Sequence, residues 1–266
     1  MGYVGRKLRE RRILFPDSQR GLIVPVDHGL TMGPIAGIQA TAALESWIGS
    51  PDISAILGHK GLVERLIMRQ CLHPTTGVIV HLNGMASLSP DADTKVMVAD
   101  IETALRLGAD AVSIQVNFTA GNFAHNFAML GAVTDAAHAA GLPLLTMLYD
   151  KVKAPTSEER LTRLHHLVRV VTELGSDAVK LANASVDEVA QLASVHGRDI
   201  RVFFAGGDKA DEGTLVAMTQ AAIRNGATGL CIGRNVFQHA RPRMLLRRLA
   251  DSVKDRSGQV AEFDVA

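Results

Sequence analysis

A short apolar run, a polar turn and a helical pattern recur eight times along the chain with no linker between them, which predicts a parallel (β/α)8 barrel of the TIM type. The length of 266 residues agrees, because such barrels take about 250. Glycine follows a predicted helix and precedes a strand in Leu107-Gly108-Ala109-Asp110, Leu174-Gly175-Ser176-Asp177 and Asn225-Gly226-Ala227, where a left-handed cap belongs. An open doubly wound sheet is the runner-up, since periodicity identifies strands but not closure.

The predicted strands are Leu22–Val26, Ile53–Leu57, Val78–His81, Ala111–Val116, Leu144–Leu148, Ala178–Ala182, Arg201–Ala205 and Gly229–Ile232. A helix face is plain in Leu161, Leu164, Leu167, Val168, Val171 and Leu174 after the fifth strand. Before the first strand lies an N-terminal extension, residues 1–20 or so, carrying Arg6, Lys7, Arg9, Arg11 and Arg12. It reads as a solvated helix under the barrel, in preference to an anion-binding arm. Arg241, Arg243, Arg247 and Arg248 read as a solvated face in the same way. Residues 1–266 then form one domain.

Composition narrows the class. Apolar residues make up 47% and aromatic residues only 4%, so Ala, Val, Leu and Ile must build the core, as suits buried parallel strands. Lys plus Arg number 28 against 27 for Asp plus Glu, a balance that argues against nucleic acid as a partner. Cys71 and Cys231 are far apart and form no metal or redox spacing. No membrane-length apolar run or signal core is present, so a soluble, cytoplasmic protein is expected.

In a barrel of this kind the active site lies at the C-terminal ends of the strands, and side chains alternate between the interior and the helices. In Asp177-Ala178-Val179-Lys180-Leu181-Ala182, Val179 and Leu181 share one face and Ala178, Lys180 and Ala182 the other. A lysine between alanines on an inward face has no evident structural purpose. Desolvation there should lower its pKa, and a neutral amine can attack a ketone to form an iminium. A lysine salt-bridged in the barrel mouth is the bland alternative. Ser113, Gln115 and Asn117 make a second inward polar row, costly unless it meets a partner or ligand. Tyr149 falls in phase with Leu145 and Met147, which puts its phenol at the mouth. Asp27 and His28 end the first strand, placed for hydrogen bonding or proton transfer.

Glycines and cations follow the last two strands, in Gly206-Gly207-Asp208-Lys209 and Gly233-Arg234-Asn235. Backbone N–H groups there, with Lys209 and Arg234, would cradle a phosphate, as loops seven and eight of such barrels do. His28, His59 and His81 end the first three strands and could meet, but their spacing is no metal motif. Neither a metal nor another cofactor is expected.

The blocks Val-Pro-Val-Asp27-His28-Gly29, His59-Lys60-Gly61, His81-Leu82, Ala109-Asp110-Ala111-Val112-Ser113, Met147-Leu148-Tyr149, Val179-Lys180, Ala205-Gly206-Gly207 and Gly233-Arg234-Asn235-Val236-Phe237-Gln238-His239 occur in an order that resembles the archaeal-type class I fructose-bisphosphate aldolases. The chain resembles still more their relatives, the 2-amino-3,7-dideoxy-D-threo-hept-6-ulosonate synthases. This likeness, from about Arg20 to Leu249, implies a Schiff-base lysine at Lys180, a tyrosine acid/base at Tyr149, Asp27 near the substrate and His28 as its partner. It implies phosphate held by Gly206, Gly207, Gly233 and Arg234. It further implies metal-free catalysis on a phosphorylated ketose, or on dihydroxyacetone phosphate with an aldehyde such as aspartate semialdehyde, in homo-oligomers that include decamers. Two departures bear on the substrate. Asp150-Lys151-Val152-Lys153 stands where the family has Pro-Arg-Gly after the tyrosine, and Asp208 replaces a proline. A carboxylate at 208 weakens anion binding unless Lys209 or Lys151 compensates. Lys151 and Lys153 can replace the missing arginine's charge but not its planar fork.

The expected activity is thus that of a class I aldolase or transaldolase. An isomerase using Asp27 as base, with Lys180 purely electrostatic, is the alternative. A third reading is a non-catalytic binding protein descended from an aldolase.

Overall fold

The computed structural model describes residues 2–207 and 209–254. Numbering only the barrel strands, these are β1 (Gly21–Pro25), β2 (Ala55–His59), β3 (Gly77–His81), β4 (Ala111–Phe118), β5 (Leu144–Asp150), β6 (Ala178–Leu181), β7 (Arg201–Phe204) and β8 (Gly229–Cys231). Every neighbouring pair is parallel, and β8 closes on β1 with Gly21 opposite Gly229. The predicted closed barrel is the one observed. Strands one, six, seven and eight stop one residue short of expectation, although the next N–H still pairs in each case: Val26 with Leu57 O, Ala182 with Leu148 O, Ala205 with Leu181 O and Ile232 with Ile23 O.

Alternation along the strands divides the core into two layers. Ile23, Leu57, Ile79, Leu145, Met147 and Phe203 fill the barrel interior. Val24, Ile56, Val80, Ile114, Val179 and Leu181 pack outward beneath the helices. The helices Phe123–Ala139 and Ser157–Glu173 are long, whereas β1 is followed only by the short turns of helix His28–Met32 and Thr41–Glu45. Between β3 and the helix Ile101–Arg106 the chain makes a small antiparallel ribbon, Asn83–Gly84 against Val96–Met97. The loop between its two arms lies over the C-terminal mouth, tied by Ser87 N–H to Thr31 O.

The N-terminal helix α1 (Gly2–Arg12) covers the opposite end, as expected, but its charges are not merely solvated. Arg6 pairs with Asp177 at 3.3 Å and Arg12 with Asp110 at 3.2 Å, and Glu10 pairs with Arg201. Asp177 and Asp110 belong to the turns that enter β6 and β4, so α1 is fastened to the strand starts. Beyond it, buried Ile13 and Leu14 join the interior layer from below and close the floor. Among the described residues no helix is long and apolar enough to cross a membrane.

Truncating a plug residue leaves a cavity that the rigid strand starts cannot fill. Leu14→Ala is expected to lower stability by about 2–5 kcal/mol, measured by urea denaturation, with secondary structure retained.

Candidate active site

The outward faces of β6 are Val179 and Leu181, so Lys180 points into the barrel, paired in register with Met147 on one side and Phe203 on the other. It is only 7% exposed, and its Nζ lies 3.8 Å from the Met147 Sδ. Tyr149, half-buried at the end of β5, and His28 line the same pocket. So does Cys231, on the inner face of β8.

Electrostatics correct one sequence expectation. Burial does push the Lys180 ammonium down, but Cys231, Tyr149 and Asp27 outweigh it, against Arg234, and the net direction is upward. Cys231 itself is pushed up to about 11 by burial, so Asp27 is the standing negative charge beside the amine at neutral pH. Burial would raise Asp27 too; His28, His81, Lys180 and His59 instead hold its carboxyl below the usual range. The resting lysine is therefore an ammonium.

Asp27 sits among imidazoles. His28 Nδ1 is 3.4 Å from one carboxylate oxygen and His81 Nε2 is 4.0 Å from the other. His81 Nδ1 meets the Ser113 hydroxyl at 2.7 Å, and the His59 ring lies 5.0 Å from the His81 ring. Burial lowers all three imidazoles, His81 to about 3. Asp27 Oδ1, His28 Nδ1 and His59 Nδ1 are buried without a hydrogen-bond partner. The histidines gather around the carboxylate, and among the described residues no group of three or more His, Cys, Asp and Glu side chains could hold a metal.

Gly206, Gly207, Gly233 and Arg234 line a small lobe of about 60 Å³ beside Lys180. Gly207 has a φ of +64°, a left-handed conformation, and a Cβ at Gly233 would lie 2.6 Å from Pro25 O and 2.8 Å from the His28 ring. Asn235 ties the two loops together, donating to Gly206 O at 3.1 Å and accepting from Ala210 N–H at 3.0 Å. Lys209 is exposed and does not line the lobe, and Asp208 lies outside the described residues.

A second lobe of about 330 Å³ opens on the other side of Lys180, lined by Asp27, Asp93, Lys95, Gln115, Asn117 and Lys151 among others. Asp150, one of the family departures, turns away from it. Arg163 holds its carboxylate with Nε at 2.9 Å, and Val152 N–H caps it at 3.1 Å. Lys151 pairs with Asp93 at 3.7 Å, while Lys153 is exposed. A cavity of about 720 Å³ beneath the barrel, between Arg12, Phe15 and Thr76, is larger but holds no comparable set of reactive groups. Sequence reasoning missed Cys231 and Lys95 as site components and named Asn235 only as part of the Gly233-Arg234-Asn235 turn. Alternation along Gly229-Leu230-Cys231 would have found Cys231, whereas nothing local marks Lys95.

Residues 21–239, most of the chain, match the model of the DeoC/LacD family aldolases. The chain belongs to that family. The expected resemblance to aldolases and to the 2-amino-3,7-dideoxy-D-threo-hept-6-ulosonate synthases holds. It is 33% identical over 250 residues to the 2-amino-4,5-dihydroxy-6-oxo-7-(phosphonooxy)heptanoate synthase of Streptomyces griseus, covering 93% of this chain and 90% of that one. It is also 33% identical over 255 residues to the 2-amino-3,7-dideoxy-D-threo-hept-6-ulosonate synthase of Halobacterium salinarum, covering 94% and 92%. In fold this DeoC/LacD aldolase is similar to an archaeal fructose-1,6-bisphosphate aldolase solved with its catalytic lysine bound to a carbinolamine. There the TM-score is 0.82 and the identity 22%, covering 94% of this chain and 100% of that one.

Buried His81 also sets an acid limit. Its folded pKa lies below the ordinary 6.5, so the unfolded chain takes up this proton first as pH falls. Stability should drop from about pH 6.5 towards 3, by at most about 1.4 kcal/mol per pH unit for this group. In urea denaturation at successive pH values, His81→Gln should give a shallower loss than wild type over that range. Equal slopes would contradict the assignment.

Proposed function

We propose that this aldolase joins a phosphorylated three-carbon ketone, dihydroxyacetone phosphate, to an aldehyde, or runs the reverse cleavage, with Lys180 as the nucleophile. The observation that carries the reading is the single ammonium on the inward face of β6, between a glycine-lined lobe and a larger polar one. The names of the relatives support it: the synthase of S. griseus is named for a seven-carbon product with a phosphorylated end beside a ketone.

In this reading the donor phosphate rests on the backbone N–H groups of Gly206, Gly207 and Gly233 with the Arg234 guanidinium beside it. Lys209, exposed at the end of that loop, adds at most long-range attraction. Proton loss to Asp27, directly or through Tyr149, frees the amine. Nζ then attacks the ketone carbon, the carbonyl oxygen leaves as water, and a protonated iminium remains. The iminium draws electrons from the neighbouring carbon, which gives up a proton and becomes an enamine. That carbon attacks the aldehyde carbonyl to form the new C–C bond, and water releases product and amine. Tyr149 and Asp27 with His28 move the protons. The surroundings that raise the Lys180 pKa also favour the iminium, because both put positive charge at Nζ.

Borohydride treatment with dihydroxyacetone phosphate should add the reduced donor to a peptide containing Lys180, read by mass spectrometry, and Lys180→Met should lose it entirely. An isomerase using Asp27 alone would interconvert substrate with no adduct, and an adduct on another lysine would equally overturn the assignment.

A further inference from the structure

Lys95 is a buried cation with no carboxylate in direct contact; Asp93 and Asp27 act on it only at a distance, and burial pushes its pKa down. It is 4% exposed and lines the larger lobe, and among the described residues its ammonium has no hydrogen bond or ion pair. Charges of this kind are costly unless something completes them. The other polar groups nearby are already engaged. Asp93 accepts from Asn117 Nδ2 at 3.0 Å and pairs with Lys151 at 3.7 Å, and Gln115 donates to Asn117 Oδ1 at 2.7 Å. Lys95 is also anchored by its backbone, whose carbonyl meets His125 Nε2 at 2.8 Å. The chain therefore holds this side chain at the lobe wall by contacts that leave its ammonium unspent.

From this we infer that Lys95 is the specificity-determining residue for the acceptor, reading an anionic group at the end of the aldehyde remote from its carbonyl. The inference rests on the aldol reading above and extends it to the second substrate. With donor phosphate in the glycine-lined lobe, the acceptor must approach Lys180 from the larger lobe. An anion at its far end gives Lys95 the charge-assisted hydrogen bonds it lacks. Lys151, turned to the same lobe but shared with Asp93, adds field without a free partner site. A neutral aldehyde leaves the ammonium with only the distant pull of Asp93 and Asp27, so it binds without that gain. Carboxylate and phosphate share the needed chemistry.

The test compares wild type, Lys95→Gln and Lys95→Arg, using dihydroxyacetone phosphate as donor and three acceptors: D-glyceraldehyde, glyceraldehyde 3-phosphate and succinic semialdehyde. The reading is the ratio of kcat/KM for each anionic aldehyde to that for the neutral one. In Lys95→Gln the ratio should fall at least tenfold, chiefly through KM, for the anion the site is built for, and Lys95→Arg should recover most of it. Whichever of the two anionic aldehydes loses more identifies the group as phosphate or carboxylate. A ratio that stays within twofold of wild type for both anions overturns the inference, as does an equal loss on all three aldehydes in both variants. Borohydride trapping of the wild-type chain with donor alone tests the aldol reading separately, since it needs no acceptor.

Discussion

The structure depends on one compromise inside the barrel, where a long cationic side chain stands among groups that otherwise exclude water. Ile23, Leu57, Ile79 and Phe203 fill the lower interior, with Ile13 and Leu14 closing the floor. Above them the interior turns polar within one residue step, at Lys180, Ser113 and His81. Burying an ammonium at that step is tolerable because Asp27 lies within electrostatic reach and is itself held ionised. Remove the carboxylate and the lysine becomes an uncompensated charge; remove the lysine and Asp27 loses one of the cations that keep it ionised.

That arrangement favours positive charge at Nζ, whichever species carries it. For the resting enzyme the species is the ammonium, which cannot attack a carbonyl. In the proposed cycle it is the iminium, which must exist long enough to draw electrons from the adjacent carbon. A site that lowered the lysine pKa would supply amine readily and stabilise the iminium poorly. This one does the reverse, and so must remove a proton as the donor enters. Asp27, Tyr149 and His28 are the groups within the pocket able to do so.

Much of this is legible in the residues alone. Period-two alternation suffices to send Lys180, Ser113 and Asn117 inward, because β4 and β6 obey it without a bulge. The glycines of the last two loops are legible for a similar reason: their place after strands seven and eight is a property of the fold. What resists reading depends on tertiary neighbours. Lys95 lies in a polar stretch between the arms of a two-residue ribbon, where composition predicts solvent, and only the fold of that loop over the mouth buries it. The direction of the Lys180 shift escapes sequence reasoning because desolvation is a local inference, whereas the opposing groups, Asp27, Tyr149 and Cys231, come from the turn after β1 and from β5 and β8. Asp150 reads as a disturbance of the site, yet Arg163, thirteen positions along, takes its carboxylate.

The claim on which everything turns is that the empty site holds Lys180 as an ammonium with its pKa above that of an ordinary lysine. Competitive labelling with trace acetic anhydride across a pH series, with the Lys180 peptide quantified by mass spectrometry, measures it directly. Reactivity that stays suppressed until the pH passes the midpoint of the exposed lysines is the predicted result. A midpoint for Lys180 near neutrality would show that desolvation prevails over the pull of Asp27 and its neighbours, and would contradict an ammonium in the resting enzyme.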